Sequence, residues 1–280
     1  MIFLFPNDCF NPRQPDAAYK DRYLAFHQAG YRTALIEIES LGSADTKVFP
    51  KLLLGDVVIY LGWMLSATDY QLLTQIIDST GATPFTGDRE YLAAHYLPNW
   101  YPLIRNLTPE TKIYAADDDL VTELTRLNWS QYFIKDYVKS LKTDLGAIID
   151  RPEQISIVLA EMKKYRGVIE GGVCIRRVED FMPETEQRYF IINHRAFAAD
   201  PQQDIPQIVR ECAIVIESKF FSVDVIQRRD GTLRIVEIGD GQVSDLVGWS
   251  IARVIQIWQS IKVAIKPQPK IDLKPGGQDE

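Results

Sequence analysis

The stretch Phe220-Phe-Ser-Val-Asp224-Val-Ile-Gln-Arg-Arg-Asp-Gly231-Thr-Leu-Arg-Ile-Val-Glu237-Ile constrains the fold more than any other part of the chain. Two apolar runs flank Arg229-Asp230-Gly231, a turn sequence whose aspartate and glycine accept the backbone angles of a tight reversal, so a hairpin is expected. Pairing of the two runs brings Asp224 and Glu237 close together across the ladder. Carboxylates among apolar neighbours repel each other unless a cation or a proton lies between them. Clustered hard oxygens are what Mg²⁺ requires, and Mg²⁺ completes its shell with water and nucleotide phosphates. Asp224, Glu237 and Asp240, the last in a Gly-Asp-Gly turn, are therefore a candidate metal set, set against the alternative that all three face solvent from strand ends and a turn.

The first hundred residues alternate short apolar runs with helical patterns, the arrangement that builds a parallel sheet covered by helices. Strands are expected over 2–5, 33–38 and 57–61, and helices over 17–29 and 68–79, with Gly30 and Gly81 where helix-ending glycines belong. Residues 88–106 read as a helix that breaks or kinks at Pro98 and Pro102. Its aromatics Tyr91, Tyr96, Trp100 and Tyr101 are expected to pack between domains. Asp117-Asp118-Asp119 reads as the N-terminal cap of a helix running to about 127, where exposed N–H groups stabilise acids, in preference to a metal cluster. Asn7, Asp8 and Asn11 at the end of the first strand, and Arg13, are candidate ligand residues, because the end of a first parallel strand is a common ligand site, but 7–12 reads equally as a turn, and the turn is preferred. After residue 130 the chain becomes β-rich, with strands over 132–138, 168–178, 188–197, 220–227 and 233–238 and helices over 152–165, 206–217 and 249–262. The expected class is α/β grading into α+β: a small parallel α/β domain over 1–110, a second domain over 111–262, and a tail over 263–280 poor in apolar residues.

Charge and composition exclude several functions. With 31 basic against 38 acidic residues the net charge is -7, which repels a phosphate backbone, so no nucleic-acid partner is expected. Cys9, Cys174 and Cys212 form no CxxC pair, and His27, His95 and His194 have no metal-ligand spacing. The N-terminus meets an acid by residue 8 and reads as a strand, not a signal peptide, and no run of 18 apolar residues offers a membrane span. The expected address is the cytoplasm, with no membrane partner. Oligomeric state is left open.

A second constellation is basic. Phe133-Ile-Lys135-Asp-Tyr-Val-Lys139-Ser-Leu-Lys142 sets Lys135 inside a strand, where a lysine is costly without an anion, and follows it with two further lysines and the hydroxyls of Ser140 and Thr143. This is a candidate polyphosphate cradle, or one edge-strand lysine with two surface lysines. Val168-Ile-Glu170-Gly171-Gly-Val173 joins a strand to glycines that admit close backbone approach. Arg188 opens another strand, to pair with Glu186 or Glu184, or with a phosphate.

The order of these features, strand lysine, hinge glutamate, strand arginine, then Asp and Glu on a terminal hairpin, resembles the ATP-grasp superfamily, the nucleotide-binding fold of glutathione synthetase and D-alanine:D-alanine ligase. The resemblance runs from about 132 to 258. Within the superfamily, Phe-Phe-Ser-Val-Asp followed by Val-Glu-Ile-Gly-Asp-Gly-Gln-Val-Ser is most similar to the small clade named for one Arg and two Lys. It implies an ATP-grasp domain of two α+β subdomains, with ATP and Mg²⁺ as cofactors. Lys135 would contact phosphate and the adenine edge, and Lys139 or Lys142 the covered phosphates. Glu170 would lie near adenine and ribose, beside the backbone of Gly171 and Val173. Arg188 would face the γ-phosphate and an acyl intermediate, and Asp224 and Glu237 would hold the metal. Two departures stand out. Residues 137–144 contain no glycine where the family has a glycine-rich loop, and the usual Glu-x-Asn is Glu237-Ile-Gly239-Asp240, so the third ligand is Asp240 or absent. The implied activity is ligation of a small-molecule or peptide carboxylate to an amine or thiol through an acyl phosphate. The alternatives are phosphotransfer on the same site and nucleotide binding without turnover.

Overall fold

The structure, a computed structural model, describes residues 1–43, 46–140 and 146–261. Strands β1 (Ile2–Pro6), β2 (Arg32–Ile36), β3 (Val48–Phe49), β4 (Val57–Tyr60) and β5 (Thr83–Pro84) form a sheet in the order β3-β2-β1-β4-β5, parallel except for β3. All five residues of β1 are buried, as expected of a central parallel strand covered on both faces. Helices α1 (Lys20–Gln28) and α2 (Ala67–Ser79) supply the cover. The α2 helix starts where the Ser66 hydroxyl accepts from the Asp69 amide at 3.1 Å, and Gly81 at φ +77° follows its end. The Asn7–Arg13 segment is a turn: Asp8 Oδ1 accepts from the amides of Phe10 and Asn11 at 2.9 and 2.8 Å.

The helical stretch after residue 88 divides into α3 (Asp88–His95) and α4 (Leu97–Ile104). The break falls at Tyr96, not at either proline. Pro98 sits in the first turn of α4, where its missing N–H has no intrahelical role, and Pro102 stays inside the helix. Tyr91 stacks on Tyr70 at 3.8 Å, and Trp100 is buried in the core that α4 shares with the C-terminal strands.

A second sheet, ordered β6-β9-β7-β8, is built from β6 (Thr111–Tyr114), β7 (Tyr132–Asp136), β8 (Ile148–Ile149) and β9 (Val173–Arg177), all antiparallel. Its outer face buries Tyr132, Ile134, Val173 and Ile175 against α5 (Leu120–Leu127) and α6 (Ile155–Arg166). Asp119 caps α5, its Oδ1 accepting from the Thr122 amide at 3.3 Å. The expected strand over 168–178 starts only at Val173. The preceding residues form a turn in which Gly171 has φ +74° and the Tyr137 amide donates to the Glu170 carbonyl.

The third sheet, β11-β10-β12-β13, is antiparallel: β10 (Phe181–Ile192), β11 (Arg195–Phe197), β12 (Phe220–Arg228) and β13 (Leu233–Asp240). The strand expected over 188–197 is two strands. Asn193 and His194 at φ 48° and 62° make a tight turn without glycine, so the reversal left no glycine in the sequence to mark it. One face of this sheet carries Tyr189, Ile191, Phe221, Val223, Val225, Ile235 and Ile238 against α4 and α7 (Gln207–Val215). The other face carries Phe190, Ile192 and Phe220, which pack with Phe3, Phe85 and Trp258 of α8 (Ile251–Ser260). Edge-to-face contacts of Trp258 with Phe3, Phe85 and Phe220 join the third sheet to the first. The class expected from sequence, mixed α/β with a parallel sheet followed by antiparallel α+β layers, is the observed one. Among the described residues no helix is long and apolar enough to cross a membrane. Lys142 and the tail after residue 261 lie outside the described residues.

Candidate active site

Arg188, Asp224 and Glu237 stand in one row across β10, β12 and β13, each paired directly with the next. The row depends on an irregularity. From Gln227↔Leu233 to Val225↔Ile235 the hairpin pairs regularly, and continued pairing would set Asp224 against Val236 and Glu237 against Val223, on the core face. Val236 is instead an extra residue, a β-bulge, and Glu237 turns to the same face as Asp224. Next to an acid on a strand, a bulge of this kind re-aims the side chain.

The Arg188 guanidinium grips Asp224 with both arms, Nε to Oδ1 at 2.7 Å and Nη2 to Oδ2 at 2.6 Å, while its Nη1 donates to the Asp245 carbonyl at 2.7 Å. Burial pushes the Asp224 carboxyl above the usual carboxylate range, against the pull of Arg188. From the second sheet Lys135, 3% exposed, donates Nζ to Glu237 Oε1 at 3.0 Å. Burial raises the Glu237 carboxyl, but Lys135, then Arg176 and Arg188, outweigh it and hold the group below its ordinary range. Two acids and two cations from two sheets thus compensate one another; of the four, Arg188 and Glu237 line a cavity of about 110 Å³ together with Lys139, Ser222, Ser244 and Asp245, while Lys135 and Asp224 are buried behind them.

The remaining sequence-derived residues are placed as follows. Lys139 is exposed at the cavity mouth, on a loop held by Asp136, whose Oδ1 accepts from the amides of Val138 and Lys139 at 2.8 and 2.6 Å. Glu170 lies in a turn beside a second cavity with Met64, Ser66, His95 and Val138, its carboxylate accepting from the Tyr96 hydroxyl. Gly171 and Gly172 lie under the Tyr137 ring, and a Cβ on either would stand within 3 Å of it. The Val173 side chain is buried in the outer core of the second sheet, turned from the cavity.

Asp240 borders the cavity, but its carboxylate is not brought together with those of Asp224 and Glu237. Three residues after Glu237, an odd step along a regular strand, it turns to the opposite face, where Oδ1 accepts from the Gln242 amide and side chain at 3.0 and 3.2 Å. Its Oδ2 is buried without a hydrogen-bond partner among the described residues, and burial pushes the carboxyl up to about 8. Among the described residues no three acidic, histidine or cysteine side chains form a group able to hold a metal. Asp224 and Glu237 alone fit Mg²⁺, which typically takes one or two carboxylates and completes its shell with phosphates and water.

Sequence reasoning missed several contributors. Asp136, fully buried, orders the lysine loop and also accepts from the Glu170 amide at 3.2 Å, and its signal was an aspartate two and three residues before the amides it caps. Ser222 and Ser244, whose hydroxyls lie 2.9 Å apart, line the cavity, and Arg176 reaches the carbonyl of the bulge residue Val236. Nothing in their sequence context marks these last three.

A family model described as an ATP-grasp domain, family 3 of the clade named for one arginine and two lysines, matches residues 118–261. No curated protein matches in sequence. Among solved structures, the D-cycloserine synthetase DcsG is 12% identical with a TM-score of 0.62, covering 93% of this chain and 99% of its own. The ATP-grasp ligase PsnB, in complex with precursor peptide PsnA2 and AMPPNP, is 10% identical with a TM-score of 0.56, covering 92% and 96%. The D-alanine–D-alanine ligase from Bacillus anthracis, complexed with ATP, is 13% identical with a TM-score of 0.57, covering 93% and 96%. At such identities the likeness is one of fold. The family match spans more than half of the chain and contains every residue of the four-charge site, so the protein belongs to family 3 of the ATP-grasp clade named for one arginine and two lysines.

Proposed function

We propose that this protein is an ATP- and Mg²⁺-dependent ligase that joins a carboxylate of a small molecule or peptide to an amine or thiol through an acyl phosphate. The observation that carries the proposal is the row Arg188–Asp224–Glu237 met by Lys135 from the facing sheet. Asp224 and Glu237 would hold Mg²⁺, which when bound neutralises phosphate charge. Lys135 and Lys139 bind and orient the triphosphate, and Lys142 is assigned to the same task from its place in the sequence. Arg188, with its planar fork, stabilises charge on the transferring phosphoryl group and orients the acceptor carboxylate. Glu170, with the backbone of Gly171 and Val173, is assigned to the nucleoside end. A side-chain nucleophile has no part. Burial pushes Cys174 and Cys212 up to about 12, so neither supplies a thiolate.

The related structures support the reading by fold, and two of them are complexes with AMPPNP or ATP. The test is ADP release from MgATP across pools of amino acids and short peptides, read with thermal shift. Release that requires both a carboxylate and an amine or thiol supports ligation. Release with a hydroxyl acceptor alone replaces it with phosphotransfer. A second reading, nucleotide binding without turnover, is favoured by Asp240, whose carboxylate faces away and leaves two metal-binding acids. It predicts a thermal shift with MgATP and no ADP.

A further inference from the structure

Glu237 reaches the site only because Val236 bulges, so whatever holds the bulge decides where Glu237 points. A bulge leaves one residue outside the regular ladder, and the same hairpin can in principle slip back into regular pairing, which would turn Glu237 toward Val223 and the apolar core. The neighbour at this point is Arg176 of β9. It is 5% exposed, lies on the same face of the second sheet as Lys135, and sends Nη1 to the Val236 carbonyl. Its Nε donates to Thr111 Oγ1 at 3.3 Å, and its guanidinium carbon lies 5.9 Å from the Trp100 ring centroid. The guanidinium is thus held from two sides besides the bulge. Nη2 has no hydrogen-bond partner among the described residues. A buried arginine with an unsatisfied arm is expensive and is kept where its remaining contacts matter.

We infer that Arg176 is a positioning residue: by clamping the Val236 carbonyl it fixes the β-bulge that aims Glu237 at the metal and phosphates. Lys135 and Arg176 then divide one task. Lys135 meets the Glu237 carboxylate and Arg176 meets the backbone one residue earlier, both from the facing sheet. Supporting groups of this kind change metal affinity by about 10- to 100-fold when removed.

This role rests on the ligase reading above, and the test keeps the two apart. The probe is Mn²⁺ with AMPPNP, its binding followed by electron paramagnetic resonance. Amide hydrogen exchange at 235–238 is followed in the nucleotide-free protein. Arg176→Met should weaken Mn²⁺ binding about 10- to 100-fold and speed exchange at 235–238, with other strands of the third sheet unchanged. Arg176→Lys, with one ammonium in place of the fork, should fall between. Glu237→Gln should lose Mn²⁺ binding without the change in exchange. If Arg176→Met binds Mn²⁺ like the parent while Glu237→Gln does not, the positioning role is refuted and the ligase reading stands. If Glu237→Gln also binds normally, both fall. If Arg176→Met does not fold, Thr111→Val decides in its place: it keeps the charge and frees Nε, and unchanged exchange at 235–238 refutes the clamp.

Discussion

Replacing Lys135 with methionine removes one charge from the site and keeps the volume and apolar stem of the side chain. The magnitude follows from the two ends of the ion pair. Removing one member of a fully buried pair costs about 3–5 kcal/mol, and an exposed pair contributes about 0.2–1 kcal/mol. Lys135 is 3% exposed and the Glu237 side chain 42%, so the loss lies between the two limits, at about 2 kcal/mol. For a chain of this size that lowers Tm by about 4–8 °C. Part of the loss is an uncompensated Glu237, so a double-mutant cycle with Glu237→Gln should recover about 1–2 kcal/mol of coupling in urea denaturation. Mg²⁺ without nucleotide should also stabilise Lys135→Met more than the parent, because a metal then replaces the missing ammonium. Under the proposed ligase activity the same variant should lower kcat/KM for ATP by about 10²–10³-fold. Additive single-variant effects, with coupling within about 0.3 kcal/mol, would refute the account of the pair.

Two further predictions concern residues beside the quartet. The Asp240 carboxyl, pushed up to about 8 from its ordinary 3.8, holds a proton in the folded chain that the unfolded chain has released over that interval. Stability should therefore fall as pH rises from about 4 to about 8, by up to about 1.4 kcal/mol per unit from this group. Asp240→Asn, neutral throughout, should flatten that slope in denaturant melts collected from pH 5 to 8, and an unchanged slope would count against the buried proton. Gly172→Ala sets a Cβ 2.6 Å from the Tyr114 carbonyl oxygen, a backbone atom that cannot swing aside, and should lower stability by about 1–3 kcal/mol. Gly248→Ala, at φ +74° in open space, is the comparison and should cost about 1–2 kcal/mol for its backbone angle alone.

The parts of the fold that the sequence made legible share a cause: each is written in local chemistry. The parallel sheet shows as short apolar runs, α2 as a helical repeat between Ser66 and Gly81, and the β12–β13 hairpin as alternating runs around Asp230-Gly231. The pairing of Asp224 with Glu237 was legible in outline, from their 13-residue spacing about that turn. What escaped depends on distant partners. The Val236 bulge has no glycine and no unusual residue, and its support comes from Arg176, sixty positions earlier. The Asn193-His194 turn lacks glycine because asparagine and histidine tolerate positive φ, and Glu170 left its expected strand because Asp136 and Tyr137 hold its backbone. Asp240 shows the limit most sharply. Its Gly-Asp-Gly setting fits a metal ligand and a solvent-facing turn equally well, and only strand parity counted from Glu237 turns it to the other face.

The arrangement of charge gives the four-residue site its readiness. Asp224 has both oxygens on Arg188, and Glu237 has one on Lys135, so each acid is compensated by a cation from a neighbouring strand or the facing sheet. A carboxylate oxygen has two lone pairs, so each acid can accept a metal without first losing its cation. Lys135 likewise keeps N–H groups for phosphate, since it uses one of three donors on Glu237. Under the proposed activity a nucleotide with its metal would add to the quartet without having to break it, and little reorganisation would be required as charge moves during phosphoryl transfer. Asp240 strengthens the same logic from behind. A third ionised carboxylate would leave the quartet with an excess of negative charge facing a triphosphate, whereas a protonated Asp240 on the opposite face adds none. The altered terminal motif is thus compatible with binding an anion, and its effect should appear above about pH 8, where Asp240 ionises and MgATP affinity should weaken in the parent but not in Asp240→Asn.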